Sequence, residues 1–270
     1  WITCRRWRIT CIAIASSMSE PAVPAFAVLL MAPGTPESAD QMAAYLRLVR
    51  GGREPSPALI DEMSDNWRAI GGRSPLTDIT MHQAEALKAE LKRTGVDVPV
   101  AVGMRNWTPF IADAVKELGA SGATRVIGIP LAPQFSTLSV QKYMDAATAV
   151  LPAETEFRCV RSFHDHPLLV EAFAERVRAA APAPDEEVIF TAHSLPEKIL
   201  ASGDPYKDEL LQTSRLVAER LVLPRWTFAF QSASNTGEPW LRPCTPDGNP
   251  EKAGRDPNVV VVTNALVTGH

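Results

Sequence analysis

The 270-residue chain is short of several things, and each shortage closes off a class of function. Its four cysteines, Cys4, Cys11, Cys159 and Cys244, form no C-x-x-C pair. Their spacing suits neither a zinc site nor a disulfide scaffold and fits a reducing cytoplasm. Basic residues are not in excess: 27 Lys+Arg against 31 Asp+Glu give a net charge of −4, which argues against a general nucleic-acid surface. No apolar run approaches the ~18–20 residues that a membrane span needs. The glycine-containing stretch "GGRSPL" (71–76) is no P-loop, because the Lys-Ser/Thr pair is absent and no helix begins at its glycines. Neither a Ser-His-Asp order nor a nucleotide fingerprint emerges, and only five histidines are present.

What the chain does have is apolar residues, at 46%, enough for a sizeable core in one large domain or two of ordinary size. The opening "WITCRRWRITCIAIASS" sets basic residues before a short apolar patch, Cys11–Ala15, too short for a signal peptide and without a convincing cleavage site. Met18 reads as the natural start, with residues 1–17 upstream of it, and residues 1–24 are expected to be a non-native or disordered segment.

Further on, short apolar runs alternate with amphipathic segments. "FAVLLMA" (26–32) reads as a fully buried strand, apolar on both faces. Helices are expected from about Ser38 to Arg50, from Pro57 to Ile70 and from about Thr80 to Thr94. The second of these carries Leu59, Ile60, Met63, Trp67 and Ile70 on one stripe and ends at Gly71–Gly72. A strand at 98–103 precedes a helix to Leu118, for which Thr108 and Pro109 look like the N-cap and first turn. "RVIGIPL" (125–131) is another buried strand, and a helix opens in "STLSVQKYMDAATAVL" (136–151). The pattern then restarts: a helix over about Pro167–Ala181, the strand "EVIFTA" (187–192), a helix over Asp204–Leu221, the strand "TFAFQS" (227–232), a long polar loop and "NVVVVTNAL" (258–266). The class is therefore α/β, with parallel sheets covered by helices in two halves that meet near Leu151–Pro167. We place the first domain at 25–160 and the second at 161–270.

The best candidate for chemistry is His193, at the carboxyl end of the strand in "VIFTAHSLPEKI" (188–199), where open α/β sheets bind ligands. Neutral imidazole serves first-row metals and acts as a base near neutrality. Position alone leaves open a histidine that only hydrogen-bonds its turn. His164 and His166 flank Asp165 with ligand-like spacing, but they precede a helix whose first residue is Pro167, so a capping loop explains them. His82 is expected on a helix surface. Arg50 and Arg53 in "RGGREP" suit carboxylates or phosphates, or simply end a helix in solvent. The hydroxyls of "QFSTLS" (134–139) either bind a ligand or cap the next helix, and Trp240 reads as a packing anchor.

Taken together, "LLMAPGTP", "RGGREP", "AIGGRSPL", "LAPQFSTLSVQKY", "TAHSLPEKILASGDPY" and "FQSASNTGEPWL" resemble, in order and spacing, the ferrochelatases, nearest to the short bacterial coproporphyrin III enzymes. The resemblance runs from about Ala25 to the end. It implies two similar Rossmann-like four-stranded domains of the chelatase fold, with a porphyrin cleft between them. It further implies insertion of ferrous iron into a porphyrin with loss of two pyrrole protons. His193 matches the family's active-site histidine, implied to hold Fe²⁺ or to accept a pyrrole proton. Arg50 matches a basic residue near the substrate propionates, and Ser74 and Tyr143 match polar residues lining the porphyrin site. Asn66 and Trp67 stand where relatives often carry Arg-Tyr; the aromatic surface is kept and a charge is lost.

Two departures stand out. Pro33 replaces a tyrosine that ligates product haem iron in many relatives, and proline has no donor atom. The pattern "GFVxDHxE" aligns with "VVVVTNALVTGH" so that His270 meets its histidine and the sequence stops before the glutamate. The expectation is a C-terminally truncated fragment, poorly folded and inactive as it stands. The resemblance leads us to expect a cytoplasmic, monomeric enzyme of haem biosynthesis. Its partners would be porphyrin and ferrous iron, with no nucleic acid, no membrane span, no iron–sulfur cluster and no cofactor beyond the substrate Fe²⁺. The competing expectations are a catalytically silent porphyrin- or haem-binding protein, motivated by the two departures, and a chelatase for cobalt or nickel tetrapyrroles.

Overall fold

The computed structural model describes residues 26–233, 237–242 and 259–263. Strand β1 (Ala27–Ala32) is buried at every residue, because it lies inside a sheet covered on both faces. It pairs in parallel with β2 (Val100–Met104) on one side and β3 (Arg125–Pro130) on the other, and β4 (Glu156–Cys159) completes the order β2-β1-β3-β4. Alternate residues of β1 feed two cores. Ala27, Leu29 and Met31 pack with Ile111, Val115 and Leu118 of α4 (Ile111–Ala120) and with Tyr143 of α5 (Val140–Thr148). Val28, Leu30 and Ala32 pack with Ala84 of α3 (Leu76–Arg93) on the opposite face.

The second sheet is built around β5 (Glu187–His193). It lies between β6 (Trp226–Gln231) and β7 (Val259–Thr263), again all parallel. Helices α6 (Pro167–Ala180) and α7 (Tyr206–Leu221) supply Phe173, Val177, Leu210 and Val217 to a core shared with Phe190 and Phe230. In both sheets the second strand lies on one side of the first and the third on the other. The strand order therefore reverses beside β1 and beside β5, and the carboxyl ends of strands at such points are where open α/β sheets bind ligands. The expected α/β class with parallel sheets is what the chain adopts. The implied second set of four strands is seen as three among the described residues. The N-terminal segment, most of the polar loop after β6 and His270 lie outside them.

Several local expectations shift. The helix expected from Ser38 is a 3₁₀ turn (Ala39–Gln41) leading into α1 (Met42–Val49). Helix α2 (Pro57–Ala69) is capped by Ser56 and ends at Gly71–Gly72 as read, but its apolar stripe is only half-buried and Ile70 is exposed. The cause is that α2 packs on α1 and the 3₁₀ turn, without a sheet beneath it. Helix α3 begins at Leu76 because the Ser74 hydroxyl accepts the Leu76 amide and the Pro75 carbonyl accepts that of Ile79. Thr108 and Pro109 do not start α4. They are joined by a cis peptide, the Pro109 carbonyl accepts the Met104 amide at 2.7 Å, and Phe110 is the N-cap. Strand β4 was not expected: "EFRC" is a four-residue edge strand with alternate residues exposed, too short and too charged to read as a strand.

Close packing of α4 on β2 rests on Gly103. A Cβ there would stand 2.8 Å from the Ile111 Cα, a backbone atom with nowhere to go. Gly103→Ala should therefore destabilise the protein by about 1–3 kcal/mol, seen as a lower urea midpoint at unchanged m-value.

Candidate active site

His193 is the last residue of β5, and both peptide units around it are pinned. Its carbonyl accepts a hydrogen bond from the Tyr206 hydroxyl at 3.0 Å. The next amide, Ser194 N–H, donates to the Gln231 carbonyl at 2.8 Å. The turn that follows is held by a returning segment. Pro196 bridges Trp240, Glu197 N–H donates to the Pro239 carbonyl, Leu241 N–H donates to the Leu195 carbonyl, and Ser194 Oγ donates to the Leu241 carbonyl. Lys198 pairs with Glu238 at 2.8 Å across the same strip. This lacing brings the Trp240 indole edge-on to the His193 ring, with centroids 6.5 Å apart at 82°. Trp240 is thus an anchor, as its sequence setting implied, and the residue that it abuts is the histidine.

The His193 side chain is open to solvent, yet the protein around it removes enough water to hold its pKa below the ordinary histidine value. Desolvation disfavours the charged ring, so the neutral form, with a free lone pair, is favoured near neutrality. Such a ring can take a proton or meet a metal ion. Among the described residues no group of three or more His, Cys, Asp or Glu is gathered to hold a metal.

At the end of β1, Gly34 adopts φ +78°, and a Cβ would lie 2.9 Å from the Trp107 backbone nitrogen. Only glycine allows that approach, which brings the segment after β2 alongside: Arg105 N–H donates to the Ala32 carbonyl and Asn106 N–H to that of Pro33. Trp107 meets Tyr45 of α1 edge-to-face at 6.1 Å. Tyr143 is buried, and that burial holds its phenol above the ordinary tyrosine pKa, with Arg105 opposing and Tyr45 adding to the shift. The phenol stays a neutral hydrogen-bonding group. Two polar atoms on this side are buried without a hydrogen-bond partner among the described residues, Thr35 Oγ1 and Trp67 Nε1. Burying such groups unpaired costs about 1–3 kcal/mol each, so a bound ligand or water that met them would recover it.

The remaining expected residues fall as follows. Arg50 is the C-cap of α1, exposed, with its carbonyl accepting Arg53 Nε–H at 3.2 Å. Asn66 is exposed on α2, and Trp67 beside it is half-buried. Ser74 is buried with its oxygen accepting the Leu76 amide, which leaves its hydroxyl proton for another acceptor. No hydrogen bond among the described residues joins any of these to His193. His166 caps α6, its Nδ1 accepting the Leu168 amide, so the capping reading describes it. His164 bonds Ser162 and Gln212 and lies 3.5 Å from Glu209. His82 is exposed on α3. Burial pushes the Cys159 thiol up to about 11, so it stays protonated near neutrality.

Sequence reading missed two acidic residues. Asp204 accepts from Ser136 Oγ, from Thr137 N and Oγ1 and from Tyr206 N; Glu209 accepts from Phe135 N and Ser162 Oγ. Ser136 and Thr137 of "QFSTLS" therefore spend their hydroxyls on a carboxylate of the other half, and α5 begins at Val140 without a side-chain cap. Both fall at the start of the expected helix Asp204–Leu221, where a carboxylate looks like ordinary helix-end charge, which is why neither was singled out.

Comparison with known proteins follows the same lines. The family model described as Ferrochelatase matches residues 25–270. A ferrochelatase from Deinococcus radiodurans is 42% identical over 227 residues, covering 80% of this chain and 72% of that protein. A coproporphyrin III ferrochelatase from Geobacillus sp. (strain WCH70) is 36% identical over 230 residues, covering 82% of this chain and 74% of that one. Among solved structures, the sirohydrochlorin chelatase SirB from Bacillus subtilis subspecies spizizenii, in complex with cobalt, covers 88% of this chain and 86% of its own at TM-score 0.44 and 11% identity.

The lowered pKa of His193 has a sign in stability. The unfolded chain binds the proton more readily, so stability falls as pH drops through the window just below ~6.5 and is regained above it. Wild type should lose stability relative to His193→Gln on acidification through that window. The His193 Cε1–H resonance should titrate with a midpoint below ~6.5.

Proposed function

Because the chain belongs to the ferrochelatase family, we propose that it inserts ferrous iron into coproporphyrin III, with His193 as the group that meets the metal or takes a pyrrole proton. The family assigns a metal-chelating lyase of haem biosynthesis that acts on a porphyrin. The choice of iron and of coproporphyrin is our reading. It is supported by relatives that bear the name coproporphyrin III ferrochelatase at 36–37% identity. The four carboxylates of that substrate also suit the exposed Arg50 fork and the polar groups of Ser74, Tyr143, Asn66 and Trp67.

The observation that carries the reading is the place of His193. It ends β5 at a point where strand order reverses, its ring is accessible, and its desolvation favours the neutral form that the reaction requires. Inserting a divalent ion releases two protons from the macrocycle, and an imidazole poised below neutrality accepts one without prior deprotonation. The reading calls for no cofactor besides the ferrous substrate, and for a cytoplasmic, monomeric protein. No helix among the described residues is long and apolar enough to cross a membrane.

The test is anaerobic insertion of Fe²⁺, with Co²⁺ and Ni²⁺ beside it, into coproporphyrin III and protoporphyrin IX. Ferrous insertion into coproporphyrin should be fastest, and His193→Ala should lose at least about 100-fold in kcat while still quenching porphyrin fluorescence. Quenching by wild type without insertion of any metal would replace this reading with that of a silent porphyrin binder. For the substrate carboxylates, Arg50→Ala should raise the coproporphyrin KM roughly two- to fivefold with kcat unchanged, the scale of one exposed ion pair.

A further inference from the structure

We infer that Asp204 and Tyr206 are positioning residues for His193, and that through them the loop at Ser136–Thr137 fixes where the imidazole stands. The inference rests on the metal-insertion reading for its effect on rate, but the coupling itself is a property of the fold. Its starting point is a carboxylate that faces both ways. Asp204 is 6% exposed. One oxygen, Oδ2, takes Thr137 N–H and Oγ1–H at 2.7 Å each and Ser136 Oγ–H at 3.1 Å. The other, Oδ1, takes the Tyr206 amide at 3.0 Å. Tyr206 then spends its hydroxyl on the His193 carbonyl at 3.0 Å.

Every link in this chain is at least partly buried and no longer than 3.1 Å. Tyr206 is 7% exposed, and burial, followed by the Asp204 charge, keeps its phenol protonated and able to donate. The segment that Asp204 grips leads directly into α5, which carries Tyr143 in its buried face. One carboxylate thus ties the wall of the first half to the backbone of the histidine in the second. With the Ser194 amide already held by Gln231, the Tyr206 hydroxyl is what fixes the peptide plane on the carbonyl side of His193. The ring's position then follows from that plane and its own side-chain torsions. A misplacement of about 1 Å in a reacting group can cost on the order of 100-fold in rate, so a partial release should register clearly.

Tyr206→Phe removes the one hydroxyl and leaves the ring to pack. It should lower kcat for metal insertion by about tenfold, leave the porphyrin KM within about twofold, and shift the His193 imidazole resonance, which is assigned by its loss in His193→Gln. Thr137→Val, which removes one of the grips on Asp204 and touches nothing near His193, should shift the same resonance in the same direction. Thr80→Val is the control. It deletes a buried hydroxyl-to-carbonyl bond of the same kind, 2.8 Å to Leu76 within α3 and no part of this chain of contacts, and should change stability without moving the resonance or kcat. The inference is overturned if the His193 resonance stays in place in Tyr206→Phe, or if kcat falls no further there than in Thr80→Val. Should wild type insert no metal, the metal-insertion reading fails by itself. The resonance shifts in Tyr206→Phe and Thr137→Val then decide the coupling alone.

Discussion

A carboxylate can only accept hydrogen bonds, and Asp204 is met by donors from both sides of the molecule. Two β-sheets with separate cores would otherwise be free to settle against each other at any of several angles. What fixes their relation is polar. Asp204 and Glu209, near the start of α7, take the amides and hydroxyls of Phe135, Ser136 and Thr137 in the loop between β3 and α5, and of Ser162 in the segment that joins the halves. Thr213, one turn further on, donates to the His164 carbonyl and receives Gln134. An apolar joint of similar area would be less exacting, because hydrophobic contact is non-directional. Buried acceptors with particular donors specify one geometry, since each mismatch leaves a buried group unpaired.

Much of the architecture was legible because burial writes itself into composition. β1 and β5 read correctly as strands because both of their faces are covered, and that demands an unbroken apolar run. The starts of α2 and α6 were legible through Pro57 and Pro167, and the end of α2 through its paired glycines, whose chemistry is local. The errors fell where tertiary contacts override local preference. β4 is an edge strand that has only one neighbour and exposes its charges. The role of the "QFSTLS" hydroxyls stayed open between ligand binding and capping because their partner, Asp204, lies 67 residues away from Thr137. No window of sequence holds both partners.

The candidate site divides in the same way. His193 could be singled out from its strand end alone, and its desolvated ring and accessible face give that choice a physical basis. The lacing that holds it was hidden, since Trp240, Leu241 and Gln231 come from other segments of the chain. The other residues proposed from resemblance are spread over α1, α2, the approach to α3 and α5. Arg50 and Asn66 are exposed, Trp67 is half-buried, and Ser74 and Tyr143 are buried; no hydrogen bond among the described residues links them to His193. In the function we propose, those residues would line the substrate's place, and among them and His193 only the histidine offers a reactive lone pair.

The shared strand order of the two sheets has a consequence for how such a protein changes over time. β1 and β5 occupy equivalent places, each flanked by its second strand on one side and its third on the other. One ends in Ala32 and Pro33, the other in His193. A scaffold that presents the same opening twice can give one copy over to reactivity and let the other drift in sequence, provided that its shape holds. Pro33, with no side-chain donor atom, brings no reactive group to the end of β1. Innovation in substrate shape should then accumulate around β1, and the end of β5 should be the last place to change.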